Sequence, residues 1–366
     1  MKKIIILCLF LCLFGCSSKS EEVEEVKEVI IENVDSSSLN NVYYYNFLND
    51  TEKLYYDALL ESSLNSKNYF ELDVSLDTDV LYKALNAFTF DYPFYYWWRL
   101  GLETTYTSNS FKAVVNIDDI ESSISQIESK KDEILGECKD NNNYEYVKNI
   151  HDYLVNNVKY VTDSKHCHDL YGSLIENKSV CDGYSLAFKY LLNEAGFNSI
   201  VVDGKGIQND DLVEHGWNYV ELNGNWYLVD VTWDDTSSNN ESIVYDYFLL
   251  SDEMISLDHI KNDLYEYPKC NDEGLFYVNM SGKYIKDYSE DELSNLINNL
   301  IDTENKDIYL KFSNYDDGVK AYKYLLEDKN FESIYTKHKY GNYSLKYGGV
   351  YNNASHVLHV YYEVES

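Results

Sequence analysis

Arginine is nearly missing from this chain. Arg99 is the sole arginine among 30 basic residues, set against 63 Asp and Glu, and the formal net charge is −33 at pH 7. Nucleic-acid binding rests on Lys and Arg neutralising phosphates, so nucleic acid is not an expected partner. Proline occurs twice and cysteine seven times in 366 residues. The longest early apolar run, Ile4 to Phe14, falls well short of the roughly 20 residues a membrane-spanning helix needs. Beyond that run and Cys16, the remaining cysteines are Cys138, Cys167, Cys181 and Cys270. Four cysteines in so long a chain are no disulfide scaffold. Free thiols are the first expectation, with a single pair among Cys138, Cys167 and Cys270 the second. What is plentiful is apolar and aromatic matter: 45% hydrophobic residues, 38 of them Tyr. That supplies an ample core, and the length suggests two or three domains.

The N-terminus has the order of a secretory signal. Lys2-Lys3 precede the apolar run, which closes on Leu13-Phe14-Gly15-Cys16. This ending resembles a bacterial lipobox. The resemblance implies cleavage before Cys16, diacylation of that cysteine, and a lipid anchor on the extracellular face of a bacterial cell membrane, since two acyl chains hold where one is marginal. Residues 1–15 are then the signal. Residues 16–39, with Glu21-Glu22-Val23-Glu24-Glu25 and Ser36-Ser37-Ser38, read as an acidic tether that buries no core.

Periodicity divides the rest. Residues 40–136 read as a mostly helical lead-in: a helix over Thr51–Ser63 with Leu54, Tyr55, Ala58 and Leu59 inward, a helix over Asp79–Phe88, a strand over Val114–Ile117 and a helix over Ile117–Leu135. The aromatic run after Pro93 is read as core. Residues 137–286 form the next unit. Helices are expected over Asn143–Asn157 and over Val180–Ala195, the latter stopped by Gly196. The period then changes from 3.6 to 2, giving strands over Ser199–Val202, His215–Leu222 and Trp226–Thr232. Residues 287–366 read as a small separate α+β domain, with helices over Ser289–Ile301 and Asp317–Glu327 and strands over Asp307–Phe312 and Ser355–Val364. The fold class is α+β.

Two local features carry chemistry. In Ser179-Val180-Cys181-Asp182-Gly183 the cysteine stands where a loop becomes a helix. A thiolate there feels unpaired N–H groups and the positive helix end. In the second feature, Asn223-Gly224 separates two alternating runs, the strongest short signal for a type I′ hairpin. Pairing Leu222 with Asn225 sets Asp230 opposite Trp217 and Thr232 opposite His215. His215 and Asp230 then share a face as diagonal neighbours, roughly 7–8 Å apart at the backbone. Val220, Leu222, Val229 and Val231 take the other face, which suits a core. A bulge would undo the alignment, because a slip of one residue swaps faces.

The blocks Leu170-Tyr171-Gly172-Ser173-Leu174, Ser179 to Ala187, Glu214-His215-Gly216-Trp217-Asn218-Tyr219-Val220, Trp226 to Asp234 and Tyr247 to Glu253 together resemble the transglutaminase-like superfamily. The resemblance implies a papain-like α+β core with a Cys-His-Asp triad: Cys181 as nucleophile, His215 as base, Asp230 as the residue orienting the histidine. It also implies thiol acyl transfer on amide bonds of peptides, proteins or cell-wall peptides. Release of the thioester by water makes a cysteine peptidase or amidase, the favoured outcome; release by an amine makes a crosslinking transglutaminase. The Cys181 backbone N–H is one candidate oxyanion donor, and the second is open.

No cofactor or metal is expected. His166-Cys167-His168, with Asp163 and Asp169, has metal-binding residue types, but consecutive residues converge poorly on one ion. His168 is placed at the site's rim. Asp234, Asp235 and Glu214 are read as a solvated face before a cleft lining, and Trp217 and Trp233 as cleft walls or core. The alternative to an enzyme is a surface binding or assembly protein that keeps the fold without turnover.

Overall fold

The computed structural model describes residues 42–208, 211–235, 243–277, 283–303, 307–341, 343–353 and 356–365. The signal-like run, Cys16 and the tether lie outside them. Helix α1 (Asp50–Leu64) opens on a capping box in which Asn49 accepts from Glu52 N and Glu52 accepts from Asn49 N. Its buried face is turned from the expected one. Tyr55, Tyr56 and Leu59 are buried, while Leu54 is 41% exposed. Strand β1 (Tyr69–Leu72) follows, then α2 (Thr78–Asp91), capped by Asp77.

Strands β2 (Glu103–Tyr106) and β3 (Phe111–Val114) complete a sheet of order β1-β3-β2. The strand expected at Val114–Ile117 therefore lies three residues earlier. Two of the three strands escaped notice because β1 buries a single residue fully and β2 none, so there is little alternation to read. Trp97 and Trp98 are fully buried, as a core reading requires.

Helices α3 (Ile120–Cys138) and α4 (Asn143–Asn157) lead to a short parallel pair, β4 (Lys159–Tyr160) with β5 (Lys178–Ser179). Helix α5 (Cys181–Glu194) begins immediately after β5. It packs across a five-stranded sheet made of β6 (Ser199–Gln208), β7 (Asp211–Leu222), β8 (Asn225–Val229), β9 (Phe248–Leu250) and β10 (His259–Lys261), in the order β10-β6-β7-β8-β9. Asn223 and Gly224 both have positive φ, 55° and 80°, as a type I′ turn demands.

The expected hairpin register holds from Leu222↔Asn225 to Asn218↔Val229, and there it stops. The strand was expected to run to Thr232. Instead Asp230 N bonds Tyr247 O, and the chain folds back so that Asp234 N reaches Asp230 O.

One hydrophobic core runs from Tyr44 to Phe276, with Tyr309 and Val357 joining it. The lead-in is tied to α5 and the sheet through it. Tyr44 Oη donates to Val201 O, and the buried Lys189 of α5 donates to Asp91 O. A second core spans Ile285 to Tyr362. Around it stand the helices Glu290–Thr303, Tyr315–Tyr322 and Asn330–His338 and a sheet of order β11-β12-β14-β13, from β11 (Tyr284–Ile285), β12 (Asp307–Phe312), β13 (Ser344–Asn352) and β14 (Val357–Glu365). Sequence reading missed the helix at 330 and β13. Among the described residues, no helix is long and apolar enough to cross a membrane.

Candidate active site

Cys181 is the first residue of α5, half-exposed, with its backbone N–H among those the helix leaves unpaired. The sharp passage from β5 into α5 depends on Gly183. A Cβ there would lie 1.8 Å from Ser179 Oγ and 2.9 Å from Ser173 Oγ. Those hydroxyls are committed: Ser173 donates to Ser179, and Ser179 donates to Cys167 O.

The structure brings Cys181, His215 and Asp230 together. His215 lies on β7, 5% exposed, with Nε2 2.6 Å from Asp230 Oδ2. The Cys181 thiol lies close enough to the same imidazole to act on its protonation. Burial opposes charge on His215, but the charge and hydrogen bond of Asp230, joined by those of Cys181, push it up to about 10. Asp230 is fully buried. Burial alone would raise its carboxyl; His215 and His259 hold it well below the ordinary value.

Asp230 spends all of its acceptor capacity. Oδ1 takes the N–H groups of Thr232 and Trp233 at 3.0 and 3.2 Å. Oδ2 takes His215 and also His259 Nε2, at 3.1 Å. His259, on β10, was not foreseen. The ligand atoms of His215, Asp230 and His259 lie within 4.8 Å of one another. Zinc bonds of about 2.0–2.2 Å in a tetrahedron set ligand atoms roughly 3.3 Å apart. The 2.6 Å between His215 and Asp230 is the spacing of a hydrogen bond.

Trp233 covers this pair, its ring stacked on His215 at 4.8 Å and 27°. Gly206 makes room, since a Cβ there would meet the Trp233 ring at 2.6 Å. Trp217 is fully buried, its ring stacked with His215 at 6.0 Å. Of the two tryptophans, Trp217 is core and Trp233 is wall.

A second network steadies the residue after the cysteine. Asp182 Oδ2 pairs with Arg99 Nη2 at 2.9 Å and with His168 Nδ1 at 3.1 Å. Arg99 also donates through Nε to His168 O at 2.7 Å and through Nη1 to Thr89 Oγ1 at 3.2 Å. Burial works against the Asp182 carboxylate, and His168 and Arg99 more than offset it, so its carboxyl is lowered. The signal for Arg99 was in the composition: one arginine in a lysine chain marks a place where a planar fork is needed.

His168 sits at the rim, its side chain 60% exposed. The three residues considered as a metal cluster part company. His166 bonds Asp169 at 2.9 Å, Cys167 Sγ faces Thr162 O, and His168 goes to Asp182.

Asp234 corrects the solvated-face expectation. It is fully buried, accepting from Tyr247 N and facing His151 Nε2 at 3.1 Å. Asp235 accepts from Tyr184 Oη at 2.5 Å, and Glu214 is exposed. Tyr160 is 55% exposed at the end of β4. Its phenol is pushed up by partial burial and then by Cys181, Asp182 and Asp230.

Residues 131–231 match the model of the Transglutaminase-like superfamily. A segment of 100 residues is 31% identical to the kyphoscoliosis peptidase of Mus musculus and, at the same identity, to that of Homo sapiens. The segment is 24% of this chain and 15% of each relative, so the chain spans a small part of their length. A crystal structure of a TGase aligns at 16% identity over 49% of this chain and 54% of that one, with a TM-score of 0.29.

Proposed function

We propose that the transglutaminase-like domain works as a thiol acyl-transfer enzyme on amide bonds of peptides or proteins, with water as the usual acceptor. The reading makes the protein a cysteine peptidase or amidase, held at the cell surface by lipid on Cys16. The observation that supports it most is the convergence of Cys181, His215 and Asp230, with His215 bonded to a fully buried Asp230 at 2.6 Å and the cysteine half-open at the start of α5.

Each group has a step. With Nε2–H donated to Asp230, the Nδ1 of His215 is the nitrogen left to take the thiol proton. The sulfur attacks the carbonyl carbon, forming the C–S bond, and the oxyanion gathers at the α5 N-terminus, where the Cys181 N–H is available. The imidazolium returns its proton to the leaving amine as the C–N bond breaks. Asp230 holds the tautomer and steadies the cation. Water, activated by the same imidazole, then cleaves the thioester. The preference for water over an amine rests on the peptidase name of the curated relatives.

A peptide library incubated with and without an added primary amine tests this by mass. Cleavage products in both arms are expected, and none with Cys181→Ala. Turnover surviving in Cys181→Ala, or products appearing solely as amine adducts, would refute the proposal.

A further inference from the structure

His259 lies outside the expected triad, yet both of its ring nitrogens face carboxylates. Nε2 is 3.1 Å from Asp230 Oδ2, and Nδ1 is 2.6 Å from Asp258 Oδ1. A neutral imidazole carries one N–H and so serves one acceptor. A second proton must therefore sit on His259 or on one of the two carboxyls.

The hydrogen bonds decide where. Asp230 already accepts from Thr232 N, Trp233 N and His215. Asp258 Oδ2 accepts from Tyr247 Oη at 2.7 Å, and Tyr247 Oη in turn accepts from Asn352 Nδ2 at 3.4 Å. Both carboxylates are thus occupied as acceptors, and His259 is the donor to each.

We infer that His259 is a buried imidazolium that serves as a positioning residue, extending the line to Cys181–His215–Asp230–His259–Asp258. The inference rests on the thiol-enzyme reading of the site. His259 is 3% exposed, and its ring lies 4.8 Å from Trp217, 4.4 Å from Trp233, 5.4 Å from Tyr247 and 5.4 Å from His215. The titratable groups facing it are Asp230, Asp258, His215 and Tyr247. Behind Asp258 stands Asp246, bonded by the same Asn352. Burial opposes the charge on His259, and Asp230 and Asp258 outweigh it.

The cation has two effects on the reaction. It keeps Asp230 an anion with fixed orientation, so that His215 cannot turn away. It also sets a positive charge near the imidazole and sulfur, which favours the thiolate and trims the basicity that Asp230 alone would confer on His215. Asn352 belongs to β13, so the C-terminal domain reaches this line through Tyr247.

Nitrogen-15 NMR of the full chain with labelled histidine reads the charge directly. Two protonated nitrogens on His259 are expected at pH 7, above the ordinary histidine midpoint, and a single protonated nitrogen there would overturn the inference. His259→Asn assigns the signal. Should that variant not fold, Asp258→Asn keeps the packing and is expected to return His259 to one N–H.

The rate of Cys181 alkylation by iodoacetamide against pH reads the consequence. A unit charge at the 5.4 Å ring spacing shifts a neighbouring ionisation by roughly two pH units at an effective dielectric constant of about 20. With that charge removed, His259→Asn is expected to alkylate Cys181 several-fold more slowly at pH 6 than the wild type. An unchanged alkylation rate at that pH in a folded variant would refute the role. Wild-type Cys181 alkylating no faster than Cys138 or Cys270 would instead remove the enzymatic reading, and the NMR result would still decide the charge on His259.

Discussion

Replacing Arg99 with Lys separates charge from geometry beside the nucleophile. The guanidinium makes three contacts that one ammonium cannot reproduce: Asp182 Oδ2 at 2.9 Å, His168 O at 2.7 Å and Thr89 Oγ1 at 3.2 Å. Lysine keeps the charge and at best the Asp182 contact. Two hydrogen bonds to neutral acceptors are lost, each contributing about 1 kcal/mol, so Arg99→Lys should cost about 2 kcal/mol. Arg99→Met also removes the ion pair. The Asp182 side chain is 33% exposed, so screening limits that further loss to about 1 kcal/mol. At roughly 2 °C per kcal/mol for a chain of this size, Tm should fall by about 4 °C in the first variant and about 6 °C in the second. Because Asp182 adjoins Cys181, the sulfur loses its fixed position, and small misplacements at a reacting centre cost up to about 100-fold. A drop of about tenfold in Cys181 alkylation rate is expected for both variants. Differential scanning fluorimetry and iodoacetamide kinetics measure the two effects. Arg99→Lys with Tm within about 1 °C of wild type and an unchanged alkylation rate would show that the network does not hold the nucleophile.

Other perturbations probe the triad and its frame. Asp230→Asn should lower kcat by about 10⁴-fold, because an amide can present N–H to His215 and invert its tautomer; single-turnover cleavage kinetics would show it, and a loss under tenfold would contradict the role given to Asp230. Stability should follow pH in a defined way. His215 is raised from 6.5 to about 10 in the fold, so its contribution is whole below pH 6.5 and drains away as pH climbs towards 10. Asp230 is lowered from 3.8, so its contribution is whole above that pH and is lost in stronger acid. Thermal unfolding scanned from pH 3 to 10 should therefore show Tm falling as pH climbs past 6.5; a rising Tm across the alkaline half would contradict the His215 assignment. Gly183→Ala, which in an open helix gains about 1 kcal/mol, should here destabilise by about 2 kcal/mol because its Cβ meets Ser179 Oγ. The urea midpoint reports the sign.

Much of the site was legible in short-range patterns. The Asn-Gly pair sets the hairpin register as far as Asn218↔Val229, one residue short of Asp230, and the change from β5 to α5 sets Cys181 at a helix start. Helix α4 begins and ends where its apolar stripe does. These features depend on residues a few positions apart, and a backbone with period 2 or 3.6 writes them directly into the sequence.

What lay beyond reach depends on meetings between remote segments. Arg99 reaches Asp182 across 83 positions, His151 reaches Asp234 across 83, and His259 reaches Asp230 across 29. Periodicity tells which face a side chain takes and is silent on what it will face. Asp234 illustrates this: beside Asp235 it reads as a wet surface, and only the packing of α4 against the turn after β8 makes it a buried acceptor. The sequence alone thus determined the hairpin that carries His215 and leads into Asp230, and the helix start that carries Cys181, because neighbouring residues and a two-residue turn suffice for that. The tertiary structure alone decided what surrounds the pair, because burial, a second imidazole and a lone guanidinium come from elements whose distance in sequence bears no fixed relation to their distance in space.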